Sequence, residues 1–246
     1  IKENGVEPLK WYTVDAEAEE EWMMDDIDCF RAKKISLVSE QKKFVPKILA
    51  YDIETSEREI GKGEILMVSL VGEGIRKVLT WKKCKGAGDY VEFFDDEADM
   101  LEKFVEYVND YGPDVLTGYF SDGFDLPYLK ARADVNKVNL SLGVTGRAPS
   151  FTRGRIPSGK IAGIVHVDLY RFIDAVFSQY LQSETLSLNE VAKELVGEEK
   201  EDFDFVKLGN MKESDWCDFF SYNLQDSAVT LKLAEKIWPD VYEFCQ

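Results

Sequence analysis

Polar and hydrophobic positions alternate along residues 47–54, which read KILAYDIE and end in two acids. Side chains alternate between the two faces of a strand, so Asp52 and Glu54 share one face and lie roughly 7 Å apart at the backbone. Two neighbouring carboxylates repel each other unless a proton or a cation compensates their charge. The pattern therefore indicates a divalent metal site at the end of a strand, or else a strand that runs out into solvent.

The same periodicity predicts further elements in alternation. Residues 65–71, 77–81, 115–119 and 165–169 have the composition of strands. Apolar residues at helical spacing, with an aspartate cap at position 95 or 96, predict a helix that ends before Gly112. Two more helices are predicted around residues 170–180 and 187–196. Strands in alternation with helices predict an α/β domain.

A long helix is predicted from about Ser214 to Trp238, with Pro239 as its end. One apolar row runs along it, and a second face carries Tyr222 and Asp226 one turn apart. Both faces are therefore expected to be covered by protein. An inward carboxylate of this kind indicates either a metal ligand or a buried aspartate with hydrogen-bonding partners.

Composition gives the domain organisation. The chain has 246 residues, of which 45% are hydrophobic and 31% charged, as in a globular protein with a full core. No apolar run is long enough to cross a membrane. We expect residues 44–240 to form one domain and residues 1–43 to be the tail of a preceding domain. Because the chain starts at Ile1 and stops at Gln246, we interpret it as part of a longer protein.

Cysteine spacing bears on the redox environment. The four cysteines, at positions 29, 84, 217 and 245, have no paired spacing. The sequence therefore predicts neither a disulfide framework nor a zinc site. A reducing, cytoplasmic setting fits this pattern.

The net charge of −17 does not favour strong binding to nucleic acid. Part of this charge lies in the acidic run at residues 15–28, which we interpret as a solvated segment. A basic segment stands out against this background, with Arg153, Arg155 and Lys160 among glycines and serines. It predicts an irregular hairpin or loop that either contacts phosphates or is simply solvated.

Two acidic positions have ordinary structural interpretations. Asp125 opens a predicted helix, where an acid meets the positive end of the helix dipole, and on this evidence alone a helix-start role is favoured. The single histidine, His166, shares a strand face with Asp168. A structural role is the expectation for that histidine.

Taken in order, three motifs resemble the 3′→5′ proofreading exonuclease domain of family-B DNA polymerases, most closely the archaeal ones. They are YDIET around Asp52 and Glu54, YFSDGFDLPYL around Asp125, and YNLQD from Tyr222 to Asp226. Segments between them, such as GKGEILMVSL and HVDLY, also resemble family sequence in family order. The resemblance covers roughly residues 44–240.

This resemblance implies an RNase H-like α/β fold, with a mixed sheet that has the acidic strand at its centre. It also implies that four carboxylates bind two Mg²⁺ or Mn²⁺ ions and that Tyr222 orients the attacking water. Hard oxygen ligands suit these ions, and tyrosine is a hydrogen-bonding group here. A related group of exonucleases has histidine five places before the last acid, where this chain has Ser221, so the tyrosine type is favoured. The four carboxylates belong to Asp52, Glu54, Asp125 and Asp226.

Substrate contacts are also implied by the resemblance. The family usually has asparagine after the tyrosine of the second motif, whereas Tyr119 is followed here by Phe120. A hydrogen bond to the substrate would be lost, and the Phe120 ring could instead stack on a base. Phe124 is a second expected contact, and the basic segment with Arg153, Arg155 and Lys160 would guide the primer strand.

The expected function is removal of mismatched 3′-terminal nucleotides from single-stranded or frayed DNA. The expected partners are DNA, the rest of the polymerase chain and a sliding clamp contacted through parts outside this sequence. The expected location is cytoplasmic and nucleoid-associated. Two alternatives stay open: a non-catalytic scaffold or partner-binding domain of the polymerase, and a free-standing exonuclease.

Overall fold

The computed structural model describes most of the chain, namely residues 5–7, 10–19, 29–40, 43–153, 157–183, 185–198 and 211–244. The chain forms two compact units. One contains residues 1–46 and 239–246, and the other contains residues 47–238. None of the helices in these described ranges combines the length and the apolar character that a membrane span requires.

The smaller unit contains an antiparallel hairpin of β1 (Tyr12–Ala18) and β2 (Phe30–Leu37). The sequence analysis did not predict these strands. Glu17 forms an ion pair with Lys33 across the hairpin. Both acids of β1, Asp15 and Glu17, are exposed. The later part of the acidic run, residues 20–28, lies outside the described residues.

The larger unit contains a mixed six-stranded sheet and a separate two-stranded hairpin. The sheet order is β10-β7-β3-β4-β5-β6, in which β3 is antiparallel to β4 and parallel to β7. The acidic strand β3 therefore lies inside the sheet, as the resemblance implied. Strands β8 and β9 form the hairpin that the basic segment predicted. The bounds are β3 (Ile48–Thr55), β4 (Ile65–Gly72), β5 (Ile75–Thr80), β6 (Val91–Phe93), β7 (Val115–Gly118), β8 (Ser150–Phe151), β9 (Gly159–Lys160) and β10 (Val165–Asp168).

Five helices lie in the described ranges: α1 (Glu97–Tyr111), α2 (Asp125–Asn136), α3 (Leu169–Val176), α4 (Leu188–Val196) and α5 (Glu213–Phe244). Asp96 caps α1 by accepting a hydrogen bond from the Asp99 N–H at 3.0 Å. Helix α5 does not end at Pro239 but continues through it to Phe244, so that prediction is wrong. A proline in a helix removes one backbone hydrogen bond, a cost that does not have to end a long helix.

The core occupies both faces of the sheet. Leu49 and Tyr51 of β3 belong to a buried cluster that includes Phe104 of α1 and Leu129 of α2. On the other face, Met67 of β4 belongs to a cluster formed with α5. Since Asp52 and Glu54 alternate with Tyr51, they face the side that α5 covers.

Cys84 and Cys217 form a disulfide, with their Cα atoms 5.8 Å apart, whereas the sequence analysis predicted none. The two residues are separated by 133 positions, and no local spacing reveals such a pair. The bond joins the segment after β5 to the first turns of α5.

We expect alkylation of the unfolded protein without reductant to leave Cys84 and Cys217 unmodified, as read by peptide mass spectrometry. Cys84→Ser should lower the free energy of unfolding by about 2–4 kcal/mol, because a long loop is then open in the unfolded chain. Cys29→Ser serves as the control, since Cys29 is a free thiol. Full alkylation of both cysteines would contradict the pairing.

Candidate active site

Three carboxylates meet at the end of β3. One oxygen each from Asp52, Glu54 and Asp226 lies within 4.8 Å of the others. Asp52 and Glu54 are partly buried, and Asp226 is buried. The alternation along β3 places both of its acids on one face, as the sequence predicts, and α5 covers that face. The third acid is supplied by that helix, from a position 172 residues after Glu54.

Small polar side chains set the position of α5 against the sheet. Ser69 of β4 lies opposite Asp52 in the strand register. Its hydroxyl donates to the backbone carbonyl of Asn223 at 2.8 Å and lies 2.6 Å from the hydroxyl of Ser227. Because Asn223 and Ser227 are fully buried, these contacts fix both the distance and the rotation of the helix beside the acids.

Asn223 also orients one of the acids. Its side-chain nitrogen donates to Oδ2 of Asp52 at 2.7 Å. This residue was not among those predicted from the sequence, although the sequence contains a signal for it. Asn223, Ser227 and Thr230 follow helical spacing on a buried face, and a polar row on a buried helix face indicates specific partners.

Asp125, the fourth predicted ligand, lies outside the 4.8 Å group but next to it. Its Oδ1 accepts a hydrogen bond from the backbone N–H of Ile53, the residue between Asp52 and Glu54, at 3.3 Å. Burial raises the pKa of the Asp125 carboxyl to about 7, and the charges of Asp168 and Asp226 also raise it. Hydrogen bonds from backbone N–H groups act in the opposite direction.

These residues fit a divalent cation. Two oxygens on opposite sides of one Mg²⁺ are about 4.2 Å apart, and the three carboxylate oxygens lie within 4.8 Å of one another. All of the candidate donors are hard oxygens, which Mg²⁺ and Mn²⁺ prefer. Burial is the main cause of the raised pKa of Asp125, and the nearby charge of Asp226 adds to it; a bound cation would favour the ionised carboxylate.

Tyr222 lies one turn before Asp226 on α5. Its ring stacks on Phe219, with ring centroids 6.1 Å apart, and packs against the cluster that contains Met67. Met67 is the register partner of Glu54. The structure therefore places Tyr222 on the face of the sheet that carries the acids.

The loop before α2 carries the unusual Phe120. Its φ angle is +65°, a left-handed conformation that asparagine and glycine adopt more readily than phenylalanine. The residue is 43% exposed, and its ring meets Tyr170 edge to face with ring centroids 5.3 Å apart. Asparagine, the residue that the resemblance implied at this position, would adopt this backbone conformation with less strain than phenylalanine.

The other predicted substrate contacts lie in different surroundings. Phe124 occupies the position before α2 without a side-chain capping hydrogen bond. Its ring packs against the main core and against Tyr128, with ring centroids 5.3 Å apart. Arg153 and Lys160 are exposed on the hairpin, one beyond β8 and one in β9. Arg155 lies outside the described residues. Phe124 thus has a packing role, and substrate contact by these four residues remains a prediction.

A buried polar network behind the loop was not predicted. His166 has a fully buried side chain, with Nε2 3.2 Å from the Ser121 hydroxyl and Nδ1 3.2 Å from Asp122. Burial acts to raise the pKa of Asp122, but His166, the Gly159 N–H and Arg171 lower it to about 2. Burial raises the pKa of Asp168. His166 therefore belongs to a structural network, the role expected from its strand position.

Comparison with known proteins identifies the family. Residues 1–191 match the family model described as DNA polymerase family B, exonuclease domain. The chain is 33% identical over 199 residues to a DNA polymerase of Pyrococcus glycovorans, covering 78% of this chain and 25% of that protein. It is 31% identical over 201 residues to a DNA polymerase of Thermococcus litoralis, covering 78% of this chain and 12% of that protein.

The fold also matches a solved structure, that of the family B DNA polymerase from the hyperthermophilic archaeon Pyrobaculum calidifontis. The TM-score is 0.74 at 24% sequence identity, over 96% of this chain and 30% of that one. The mixed sheet with helices on both faces is RNase H-like. The chain spans a quarter or less of the length of the two polymerases to which its sequence was compared. On this evidence, the chain belongs to the 3′→5′ exonuclease domains of the family-B DNA polymerases.

Proposed function

We propose that this domain removes nucleotides one at a time from the 3′ end of single-stranded or frayed DNA by two-metal hydrolysis. The observation that carries the proposal is the approach of Asp52, Glu54 and Asp226 to within 4.8 Å of one another. In a longer polymerase chain, this activity would remove mismatched primer ends. The proposal includes a sliding clamp as partner and a cytoplasmic, nucleoid-associated location. It also includes a division of the chain into residues 1–43, the tail of a preceding domain, and residues 44–240, the exonuclease domain.

In this proposal the carboxylates of Asp52, Glu54, Asp125 and Asp226 hold the ions. Two divalent ions bound there would neutralise charge on the scissile phosphate, supply a nucleophile at neutral pH and support the leaving 3′ oxygen. Asn223 keeps the Asp52 carboxylate oriented through its 2.7 Å hydrogen bond. The backbone of Ile53 does the same for Asp125.

Tyr222 would hold the attacking water by a hydrogen bond from or to its phenol group. Its ring stacks on Phe219, a contact that would help to orient the phenol group. The exposed side chains of Arg153 and Lys160, with Arg155 between them in sequence, would guide the incoming strand through contacts to phosphates.

The test is release of mononucleotides from a 5′-labelled single-stranded oligonucleotide with Mg²⁺ or Mn²⁺, beside EDTA and an Asp52→Ala control. We expect metal-dependent shortening from the 3′ end that the variant lacks. If the folded protein shows no shortening at low salt, Mn²⁺ calorimetry separates two explanations. A fragment that needs the rest of its polymerase should still bind Mn²⁺ through the acids, whereas a non-catalytic scaffold should not.

Phe120 provides a separate prediction about the substrate. Phe120→Asn should raise the KM for a single-stranded oligonucleotide about tenfold, because stacking of a base on an aromatic ring contributes about 1–3 kcal/mol. The same change should leave the protein at least as stable, since asparagine tolerates the left-handed backbone. KM and urea unfolding are measured on the same samples.

Phe120→Tyr is the matched control, because it keeps a ring that stacks. Its KM should stay within about twofold of the parent protein. An unchanged KM and rate in Phe120→Asn would remove the substrate role from Phe120.

A further inference from the structure

Three elements contact the loop at residues 119–124, which leads into α2 and its first residue, Asp125. They are β10, α3 and the second strand of the basic hairpin, β9. Two buried aspartates connect these parts. Asp168 is 5% exposed and Asp122 is 3% exposed.

Asp168 fixes the loop itself. Its Oδ1 accepts a hydrogen bond from the Phe120 N–H at 3.0 Å, and its Oδ2 accepts one from the Asp122 N–H at 3.0 Å. It also caps α3 by accepting from the Arg171 N–H. The backbone of the loop is therefore held without any contribution from the side chain of Asp122.

The side chain of Asp122 is directed to the hairpin instead. Its Oδ1 accepts a hydrogen bond from the Gly159 N–H at 2.7 Å. Its Oδ2 accepts one from Nη1 of Arg171 at 2.7 Å, and the same nitrogen donates to the carbonyl of Pro157 at 3.3 Å. Thus one oxygen of the Asp122 carboxylate holds the hairpin segment directly, through Gly159. The other holds it through Arg171, which donates to Pro157.

The hairpin strand lies directly on the start of α2. A Cβ atom added at Gly159 would lie 2.3 Å from Cδ2 of Leu126, so there is no room for a side chain at this point. Leu126 follows Asp125. The strand that carries the exposed Lys160 is therefore in contact with the residue after a candidate metal ligand.

We propose that Asp122 is a positioning residue, which fixes the strand Gly159–Lys160 against the first turn of α2 and thereby holds the basic hairpin at a set distance from the acids. The inference rests on the proposed function, since it assigns Asp122 to the binding of the DNA strand. Because Asp168 holds the loop separately, loss of the Asp122 charge affects strand binding and leaves the metal carboxylates in place.

The experiment compares Asp122→Asn with Glu97→Gln in the same assay on the 5′-labelled single-stranded oligonucleotide. Glu97 is the matched control because it is also a buried carboxylate paired with an arginine, Arg132. Its other described hydrogen bonds come from the Ile65 N–H and from Asn136. KM, kcat and the Kd for Mn²⁺ by calorimetry are measured below the unfolding temperature of each variant. Anisotropy of the labelled oligonucleotide in EDTA gives strand affinity independently of turnover.

Asp122→Asn is expected to raise KM and the anisotropy Kd about tenfold, since it loses the charge that strengthens its hydrogen bonds. Its kcat and Mn²⁺ affinity should stay within about twofold of the parent protein. In Glu97→Gln, all four quantities should be unchanged. If Asp122→Asn does not fold, Arg171→Gln replaces it, and the same rise in KM is expected.

An unchanged KM and anisotropy Kd in Asp122→Asn, or an equal rise in Glu97→Gln, would overturn the positioning role. Failure of the proposed function has a different signature. It would appear as nucleotide release that persists in Asp52→Ala, or as no Mn²⁺ binding by the parent protein.

Discussion

Asp226→Asn is expected to lower the rate of mononucleotide release roughly a thousandfold, with the protein still folded. The substitution keeps the size of the side chain and removes its charge. Asp226 is the acid that α5 contributes, and its carboxylate oxygen lies within 4.8 Å of oxygens of Asp52 and Glu54. A neutral amide at this position leaves the candidate metal site without one of its charges, so Mn²⁺ affinity measured by calorimetry should fall as well.

Asp218→Asn is the matched control for this prediction. Asp218 lies on the same helix two turns earlier and is exposed, so its loss should change the rate by no more than about twofold. Equal rates in Asp226→Asn and the parent protein would mean that the three-carboxylate cluster is not the catalytic centre. Reduced Mn²⁺ affinity beside an unchanged rate would mean that the metal site and the catalytic site are different.

The acids could be predicted because each follows from local geometry. Strand periodicity alone puts Asp52 and Glu54 on one face, and helix periodicity alone puts Asp226 on a covered face of α5. What periodicity could not supply is that these faces meet. That step came from the order of the motifs and their resemblance to a family, and the structure shows the physical contacts behind it, in which Ser69 and Ser227 fix the helix to the sheet.

The contacts that the sequence did not predict join residues far apart in the chain. Asn223 meets Asp52 across 171 positions, and Cys84 meets Cys217 across 133. Asp122, in the loop before α2, accepts a hydrogen bond from Arg171 of α3, 49 positions later. The composition of neither segment predicts this pair. Such pairs depend on how elements pack, and neither residue of a pair is unusual in its own segment.

The backbone conformation of Phe120 could not be predicted from the sequence either. The resemblance implied an asparagine at this position, so the phenylalanine indicated a lost hydrogen bond to substrate. The structure adds a left-handed φ of +65° at this position and an Asp168 carboxylate that accepts from its N–H. A residue in a costly conformation with a half-exposed ring is a reasonable candidate for contact with substrate, because other residues would fit the backbone with less strain.

A buried ion pair links the helix that begins with Asp125 to the rest of the domain. Arg132 of α2 binds Glu97 of α1 through Nε at 2.9 Å and Nη2 at 2.5 Å. The Glu97 carboxylate also accepts from the Ile65 N–H of β4 at 2.7 Å and from Asn136 at 2.8 Å. The side chains of Arg132 and Glu97 are 11% and 6% exposed, so one carboxylate joins two helices and a strand away from water.

Arg132→Ala is therefore expected to lower the free energy of unfolding by about 3 kcal/mol, near the lower end of the range for a buried charge that loses its partner. The expected loss in the free energy of unfolding is near the lower end because the N–H of Ile65 and the amide of Asn136 still donate to Glu97. Urea unfolding measures the change, with Lys130→Ala as control, since Lys130 pairs with the exposed Asp134 on the same helix and should matter by less than about 1 kcal/mol. Equal losses in the two variants would contradict the prediction. Adding Glu97→Gln to Arg132→Ala should recover part of the loss, because the double variant no longer buries an unpaired charge.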